Sequence, residues 1–114
     1  MAKGKVVLVP FPFDDLSATR VRPAVCLTNP IGTHRHVILA FITSQRPTEL
    51  LESDLMLDPG QKDFARTGLK APSALRLHRL MTVTTALIRR ELGELSPRIQ
   101  TNLADKLRRL FGLT

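Results

Sequence analysis

The apolar residues of this chain occur in short runs bounded by turn residues, which is typical of β-strands. Residues 4–10, "GKVVLVP", are apolar at consecutive positions and predict a strand covered on both faces. Residues 23–28 predict a second strand that begins at Pro23, because a proline without an N–H suits the first position of a strand. Residues 37–42 are all apolar and rich in β-branched types, which predicts a central strand.

The pattern is weaker in the next part of the chain. The run "SDLML" predicts a short strand, residues 73–77 predict another, and "LMTVTTALI" predicts a strand followed by a turn. Residues 58–73 carry two glycines and two prolines without periodicity, and they predict a long mobile loop.

The C-terminal residues predict a helix. Ser96 followed by Pro97 is typical of a helix start, with a serine N-cap and a proline at the first helical position. An apolar stripe follows at helical spacing and ends near Gly112; its members are Ile99, Leu103, Leu107 and Leu110. Several short strands with one closing helix predict a mainly β, α+β fold: a small, strongly bent antiparallel sheet or barrel packed against that helix.

Length and charge narrow the class of partner. At 114 residues the chain is expected to form one domain over residues 1–114. Its 17 lysines and arginines exceed its 10 acidic residues, and the net charge of +7 favours a polyanionic partner such as nucleic acid. Because Trp and Tyr are absent, such binding would rest on arginine. No apolar run approaches the roughly 20 residues that span a bilayer, so we expect a cytoplasmic protein with no membrane partner.

Metal and cofactor sites are not indicated by the sequence. Cys26 is the single cysteine, and its apolar neighbours predict a buried thiol rather than a nucleophile. His34 and His36 are interpreted as part of a basic turn, because no second cluster of metal ligands occurs in the sequence. No Gly-rich nucleotide-binding loop is present either. We therefore expect no metal and no cofactor.

Several motifs occur in an order that identifies a family. The opening "GKVVLVPFPFDDLSATRVRPAVCL" resembles that of the MazF/PemK toxins, mRNA endoribonucleases of type II toxin–antitoxin pairs. The segments "AFITSQ" and "TGLKAPSALRLHRLMTV" resemble later parts of the same family, so the similarity covers nearly the whole chain. The resemblance implies a compact SH3-like antiparallel β-barrel with a C-terminal helix. It also implies a homodimer that binds single-stranded RNA, and a cognate antitoxin protein as partner.

The same resemblance implies roles for individual residues. Arg22 and Thr43 match the family's catalytic Arg and Thr, and Ser44 takes the neighbouring Ser position. Arg76 matches an arginine that some members place beside the scissile phosphate, whereas His78 stands where those members have an acidic residue. We expect further contacts to RNA from four other residues: Asp15, Arg20, Arg46 and Arg79.

The chemistry of these residue types agrees with cleavage of RNA. RNA contains its own nucleophile, the 2′-OH, so its cleavage requires a base, an acid and a cation at the phosphorane, with no need of a metal. Pro23 keeps Arg22 extended, and its guanidinium can donate two hydrogen bonds to phosphate oxygens. Arg76 and His78 are two residues apart in a predicted strand and should share a face, where the histidine could accept a proton near neutral pH.

The residues alone leave other roles open. Arg22 could form a salt bridge with Asp14 or Asp15. Thr43 could be a strand-end turn residue, and His78 could be a surface histidine. The same fold could serve a non-catalytic toxin that inhibits a protein such as DNA gyrase, or a catalytically inactive RNA-binding relative. The set of phosphate-binding groups around a hydroxyl favours the nuclease.

Overall fold

A computed structural model describes residues 2–10, 20–45 and 47–113 of the chain. Six strands and one α-helix lie in these ranges, together with two short 3-10 turns at Ala65–Thr67 and Thr85–Leu87. The strands and the helix are β1 (Lys5–Pro10), β2 (Val21–Cys26), β3 (His36–Thr43), β4 (Asp54–Leu57), β5 (Ser73–Thr84), β6 (Arg90–Glu94) and α1 (Pro97–Leu110). Within the described ranges, no helix is long and apolar enough to cross a membrane.

The six strands form one antiparallel sheet in the order β4-β5-β3-β2-β1-β6. Its longest strand, β5, changes register against β3: Leu80 is opposite Ala40, whereas Arg76 is opposite Phe41. Residues 77–79 therefore have no partner on β3. Irregularities of this kind bend a strand and increase its twist, and here the sheet curls into a half-barrel. The predicted small antiparallel barrel with a C-terminal helix is confirmed.

Both faces of the sheet are apolar, as the first strand predicted. Val6 belongs to a cluster that faces the helix, which we call the helix-side cluster; it also contains Val25, Ala40, Leu75, Leu77, Ile99 and Leu103. Val7 and Val9 belong to a second cluster on the other face, the opposite-face cluster, with Ala24, Cys26, Val37, Leu39, Phe41 and Val83. The thiol of Cys26 is buried, as predicted, and this burial raises its pKa.

The C-terminal helix forms as the sequence predicted. The Ser96 hydroxyl oxygen accepts a hydrogen bond from the Ile99 N–H (3.2 Å), and Pro97 is the first helical residue. Ile99 and Leu103 are buried against the sheet. The chain leaves the helix through Gly112, whose φ of 70° is costly for a residue with a Cβ.

Strand β2 is displaced by two residues from its predicted position: it begins at Val21 and ends at Cys26. Pro23 is the third residue of the strand rather than the first. Val21 and Arg22 come before it, and both pair with β1 but not with β3. The ladder to β3 begins at Ala24, just after the proline that has no N–H to donate. Beyond Cys26, the Thr28 hydroxyl accepts the Ile38 N–H (3.3 Å).

Two further predictions about strands were wrong. The strands predicted at 73–77 and in "LMTVTTALI" are one continuous strand, β5, because the irregularity at 77–79 interrupts the alternation without ending the strand. Strand β6 is absent from the predicted strands. It pairs with β1, where Lys5 lies 3.4 Å from a carboxylate oxygen of Glu91 and 3.5 Å from one of Glu94.

The segment predicted as a long mobile loop, residues 58–73, is packed against β6 and the start of α1. Asp63 is buried and bound to Ser96 and Arg98 at the start of the helix. Gly93 of β6 lies so close to the segment that an added Cβ would be 2.1 Å from the Arg66 carbonyl oxygen. The segment is irregular, but the expectation of a loose loop was wrong, since glycine spacing alone does not reveal these contacts.

Candidate active site

Arg22 lies where two central strands separate. It is the second residue of β2 and is paired with Val9 of β1, while the pairing of β2 with β3 ends at Ala24 opposite Phe41. Arg22 is two residues beyond Ala24 on β2, and Thr43, the last residue of β3, is two residues beyond Phe41. The two residues that the family resemblance assigns to catalysis therefore lie at the same end of the β2–β3 pair, beyond the last paired residues.

Alternation along the strands places these residues on one face of the sheet. Ala24 and Phe41 both belong to the opposite-face cluster, so Arg22 and Thr43, two positions further along their strands, lie on the same face. Phe41 is also opposite Arg76 of β5, which puts Arg76 on that face as well. Three neighbouring strands thus contribute the two arginines and the threonine to a common surface.

Arg76 is held by a buried carboxylate. Its cross-strand partner on β4 is Asp54, and the Arg76 Nε atom lies 2.8 Å from Asp54 Oδ1. The Asp54 side chain is 1% exposed and that of Arg76 is 19% exposed. The other carboxylate oxygen, Oδ2, accepts a hydrogen bond from the Leu51 N–H (2.9 Å). Neither the Arg76 Nε atom nor Asp54 Oδ1 makes a hydrogen bond, so the carboxylate holds the guanidinium beside it by charge and proximity.

Sequence analysis missed Asp54. The residue lies at the start of the short run "SDLML". Nothing in the neighbouring residues indicates which side chain it pairs with. Its pairing with Arg76 depends on the register of β4 against β5, which a single sequence does not show. An acidic residue in an otherwise buried strand is the one available indication, because buried carboxylates are normally paired.

A cleft of about 300 Å³ opens beside Thr43, and we call it the Thr43 cleft. It is lined by Thr43, Ser44, Gln45, Pro47, Leu50, Met56, Asp58, Ala71, Pro72, Ser73 and Ala74. The Thr43 hydroxyl oxygen accepts the Gln45 N–H (3.1 Å) and lies 3.4 Å from the Gln45 carbonyl oxygen, to which it donates. Thr43 therefore does form the strand-end turn that was its alternative role, and this turn fixes the hydroxyl at the edge of the cleft.

His78 lies in a different depression, of about 400 Å³, between the turn before β4 and the end of α1. The residues that line it with His78 are Leu51, Glu52, Ser53, Lys106, Arg109 and Leu110. His78 is within the stretch of β5 that has no partner on β3, so the alternation used to place it beside Arg76 does not apply there. The structure does not bring His78 together with Thr43 and Ser44.

The remaining predicted residues divide into two groups. Arg20 is exposed just before β2, and Arg79 is exposed in the irregular part of β5. Asp15 and Arg46 lie outside the described residues, as does Asp14, which was considered with Asp15 as a salt-bridge partner for Arg22. The structure therefore gives positions for Arg20 and Arg79 only.

Potential metal ligands are scattered over the part of the chain that the structure describes. There, no three His, Cys, Asp or Glu side chains are grouped closely enough to hold a metal ion. The nearest approach to a pair of imidazoles is at the turn before β3, where the ring centroids of His34 and His36 are 5.9 Å apart. This turn also contains Arg35, whose φ is 52°.

Solved structures with the same fold come from bacterial toxins. The Mycobacterium tuberculosis toxin MazF-mt6 superimposes with a TM-score of 0.73 at 22% identity, over 96% of this chain and 98% of that chain. A mycobacterial endoribonuclease in complex with its cognate antitoxin gives 0.72 at 14% identity, over 100% and 97%. The Deinococcus radiodurans MazE-MazF structure gives 0.71 at 16% identity, over 100% and 98%. At these identities the likeness establishes the fold.

Family membership rests on the sequence. No curated protein sequence matches the chain significantly. A family profile does match: that of the PemK-like, MazF-like toxins of type II toxin–antitoxin systems, over residues 2–111. The match includes β1 to β6 and α1, together with the positions of Arg22, Thr43 and Arg76. The chain therefore belongs to the PemK-like, MazF-like toxins of type II toxin–antitoxin systems.

Proposed function

We propose that this protein is a metal-independent, sequence-selective endoribonuclease that cleaves single-stranded mRNA in the cytoplasm as the toxin of a toxin–antitoxin pair. The observation that carries the proposal is the placement of Arg22, Thr43 and Arg76 on one face, where β2 and β3 separate. The net charge of +7 suits a polyanionic substrate. Family membership and the endoribonucleases among the structures of the same fold support it.

The proposed reaction uses the nucleophile that RNA itself carries. The 2′-OH attacks the adjacent phosphorus, its proton passes to a base, and the 5′ oxygen of the next nucleotide leaves with a proton. The products are a 2′,3′-cyclic phosphate and a 5′-OH. Negative charge accumulates on the phosphorane oxygens in the transition state, where Arg22 and Arg76 supply positive charge and N–H donors. The Thr43 hydroxyl donates to the Gln45 carbonyl oxygen at 3.4 Å, and it would turn this hydrogen to a phosphate oxygen when RNA binds.

Asp54 explains how Arg76 can serve this purpose. A flexible arginine loses side-chain entropy when it binds a phosphate, whereas one already paired with a buried carboxylate loses less. The 2.8 Å contact with a carboxylate that is 1% exposed holds the guanidinium on the sheet. The N–H groups on its two terminal nitrogens remain suited to the fork geometry of a phosphate.

His78 is proposed as the proton acceptor because of its position in the family motif. It lies in the depression with Lys106 and Arg109 and not in the Thr43 cleft. If it is the base, His78→Ala should lose most of the cleavage rate, because no group would then take the 2′-OH proton. The variant His78→Asp restores the acidic residue and should retain activity. Equal rates for His78→Ala and the wild type would remove His78 from the reaction.

The central experiment is cleavage of a long single-stranded RNA in EDTA, followed by mapping of the 5′ ends. We expect discrete cuts that leave a 5′-OH, and no cleavage of duplex DNA. The cleavage rate should be at least about a hundredfold lower in Arg22→Ala, which is the scale of removing one preorganised hydrogen-bond donor. Arg22→Lys keeps the charge and loses the fork, and Thr43→Val keeps the shape and loses the hydroxyl, so both should also be slow.

Two outcomes would contradict the proposal. Cleavage abolished by EDTA and restored by magnesium would show that the reaction depends on a metal. RNA that is bound but never cut would make the protein an RNA-binding relative without catalysis. Equal rates for the wild type and Arg22→Ala would remove Arg22 from the site while leaving the activity itself in place.

We also propose a homodimer and competition between RNA and an antitoxin. A protein of this size offers little concave surface, and two copies would join their basic faces into a longer channel for RNA. An acidic, partly disordered antitoxin segment would be attracted to the same faces, so RNA and antitoxin should weaken each other's binding. Light scattering that shows a monomer at micromolar concentration with full activity, or simultaneous binding of both partners at full affinity, would contradict these points.

A further inference from the structure

We propose that the Thr43 cleft binds one unstacked RNA base and selects guanine through the carboxylate of Asp58. The inference rests on the proposed function and adds to it the chemical basis of sequence selectivity. Single-stranded RNA is read by proteins that hold an unstacked base in a pocket and contact its Watson–Crick edge. The cleft has the position, the walls and the polar groups that such a pocket requires.

The cleft adjoins the proposed catalytic groups. Thr43 and Ser44 form part of its lining, and Gln45 is joined to the Thr43 hydroxyl by the two contacts of 3.1 and 3.4 Å. A base held there would belong to a nucleotide next to the scissile phosphate. Recognition and cleavage would then be coupled, because a base that fits the cleft places its phosphate at Thr43.

The walls of the cleft are suited to the faces of a base. Leu50, Met56 and Pro72, from three separate parts of the chain, contribute apolar surface to the lining. Proteins that hold an unstacked base place it between aromatic or apolar side chains, and this chain has no Trp or Tyr to provide aromatic ones. The volume of about 300 Å³ admits a base while leaving no room for a folded oligonucleotide.

Asp58 is the charged residue among the described residues that line the cleft. In the described part of the chain, no hydrogen bond or ion pair of its carboxylate is found, although its backbone N–H lies 3.4 Å from Gln61 Oε1. Gln61 in turn donates to the Met56 carbonyl oxygen (3.3 Å), so the loop that carries Asp58 is fixed against β4. The Ser73 hydroxyl is already used, because it donates to the Ala71 carbonyl oxygen (2.8 Å).

The acceptor pattern of a carboxylate decides which base fits. An ionised aspartate offers two acceptor oxygens side by side and no donor. Guanine presents two adjacent N–H donors on its Watson–Crick edge, from N1 and the N2 amino group. Adenine, cytosine and uracil each present one donor beside an acceptor there, and that acceptor would meet a carboxylate oxygen. Asp58 therefore favours guanine over the other three bases.

The test uses short single-stranded RNAs that differ at one base. The 5′ ends produced from a random RNA library first identify the cleaved sites, and we expect guanine to be enriched at one position beside the cut. Replacing that guanine by inosine removes only the N2 amino group. The wild type should cleave the inosine substrate about tenfold more slowly, the scale of losing part of a bidentate base contact. Wild-type protein that cuts both substrates equally would overturn the inference.

The variant Asp58→Asn sharpens the same test. An amide offers one acceptor and one donor, so this variant should lose the preference for guanine over inosine and accept other bases at that position. Asp105→Asn makes the same change in charge on α1, outside the cleft, and should retain the wild-type preference. Because fluorescence anisotropy can compare binding of the guanine and inosine RNAs, the test does not depend on cleavage.

The outcomes separate the two proposals. If the wild type cuts no RNA, the proposed function fails, and anisotropy with two random-sequence RNA pools, one containing guanosine and the other inosine in its place, decides the assignment of the cleft. If it cuts RNA but Asp58→Asn keeps the full preference for guanine, the cleft assignment fails and the nuclease remains. Circular dichroism of Asp58→Asn shows whether it is folded, and the inosine comparison on the wild type remains decisive if it is not.

Discussion

Two aspartate–arginine pairs stabilise different regions of this protein, and they differ in how the arginine is used. At the start of α1, Arg98 contacts Asp63 twice, from Nε to Oδ2 (3.0 Å) and from a terminal nitrogen to Oδ1 (2.8 Å). On the sheet, Arg76 contacts Asp54 from Nε at 2.8 Å. The carboxylate is buried in both pairs, but the Arg98 side chain is 55% exposed and that of Arg76 is 19% exposed.

We interpret Arg98 as a residue that stabilises the fold and Arg76 as a residue positioned to bind a phosphate. Arg98 donates two hydrogen bonds to one carboxylate, from Nε and a terminal nitrogen, and they join the 58–73 segment to the helix. Arg76 makes no hydrogen bond from Nε; its charge is paired with Asp54, and it lies on the face that carries Thr43. Substitutions in the first pair should therefore change stability, and substitutions in the second should change cleavage.

The largest effect is expected for Arg76→Lys. Lysine keeps the charge but cannot reach Asp54 and a phosphate with one planar group, so we expect cleavage to slow about a hundredfold. The matched variant Arg98→Lys should cleave at nearly the wild-type rate. Single-turnover cleavage of one RNA by both folded variants measures the difference. Equal losses of cleavage rate in the two variants would contradict the different roles of the two pairs.

A smaller effect is expected for Asp54→Asn. The amide oxygen can still accept from one donor, but the charge that holds the guanidinium is lost, which is worth about a factor of ten in rate. We expect the loss in kcat rather than in KM, because the RNA is still attracted by the basic surface. Asp54→Glu, which restores the carboxylate, should recover part of the rate. A change confined to KM would contradict a positioning role for Asp54.

Asp63→Asn should change stability in a pH-dependent way. Hydrogen bonds from Arg98 and Ser96 hold the pKa of the Asp63 carboxyl well below its usual range. Stability from a carboxyl with a lowered pKa is complete above the unfolded value of about 3.9 and is lost as the pH falls towards the folded value. The wild type should thus unfold at higher urea than Asp63→Asn at pH 7, and the gap should narrow at pH 3. A gap of constant size would contradict this.

The control for that experiment is Asp105→Asn. Asp105 also pairs with an arginine, Arg109, at 3.3 Å, but both side chains are exposed. Exposed ion pairs contribute little to stability, so its urea midpoint should stay close to that of the wild type at both pH values. A large shift of the urea midpoint would show that an exposed aspartate–arginine pair stabilises this fold as much as a buried pair does.

The smallest effect is expected for Ser96→Ala. Ser96 caps α1 through the Ile99 N–H, and its loss should cost about 1 kcal/mol of the free energy of unfolding. Ser96→Thr can keep the cap and provides the control. Both variants should retain cleavage, because Ser96 is on the helix side of the sheet. A loss of activity in folded Ser96→Ala would link the clamp at the helix to the site.

Strands, the helix and its cap could be predicted from neighbouring residues, whereas the pairing of residues across the sheet could not. The strands at 4–10 and 37–42 and the helix with its Ser96 cap follow from periodicity and capping, which depend on neighbouring residues. Arg22 and Thr43 were found because they lie in motifs of the family. Asp54 was missed because its partner is defined by register, and β6 was missed because few of its residues are apolar.

The position of His78 illustrates the same limit. Strict alternation places it beside Arg76, but the register change at residues 77–79 breaks the alternation at that point. Such an irregularity arises from how β5 bends between its neighbours, and the letters "LHRL" contain no turn residue that would mark it. The side of the sheet on which a residue lies beyond such an irregularity is therefore not predictable from alternation alone.

The pairing of β1 with β6 has a consequence for the synthesis of the protein. Lys5 is opposite Glu94, so one edge of the first strand stays open until almost the entire chain has left the ribosome. Arg22 and Thr43 are made early, but Asp54 and Arg76 arrive later, and the helix that covers the sheet comes last. Non-local pairings of this kind form slowly, and chains fold as units once their contacts are available. The proposed site can therefore assemble only after β5 has been translated, and the sheet is completed later still, when β6 reaches β1.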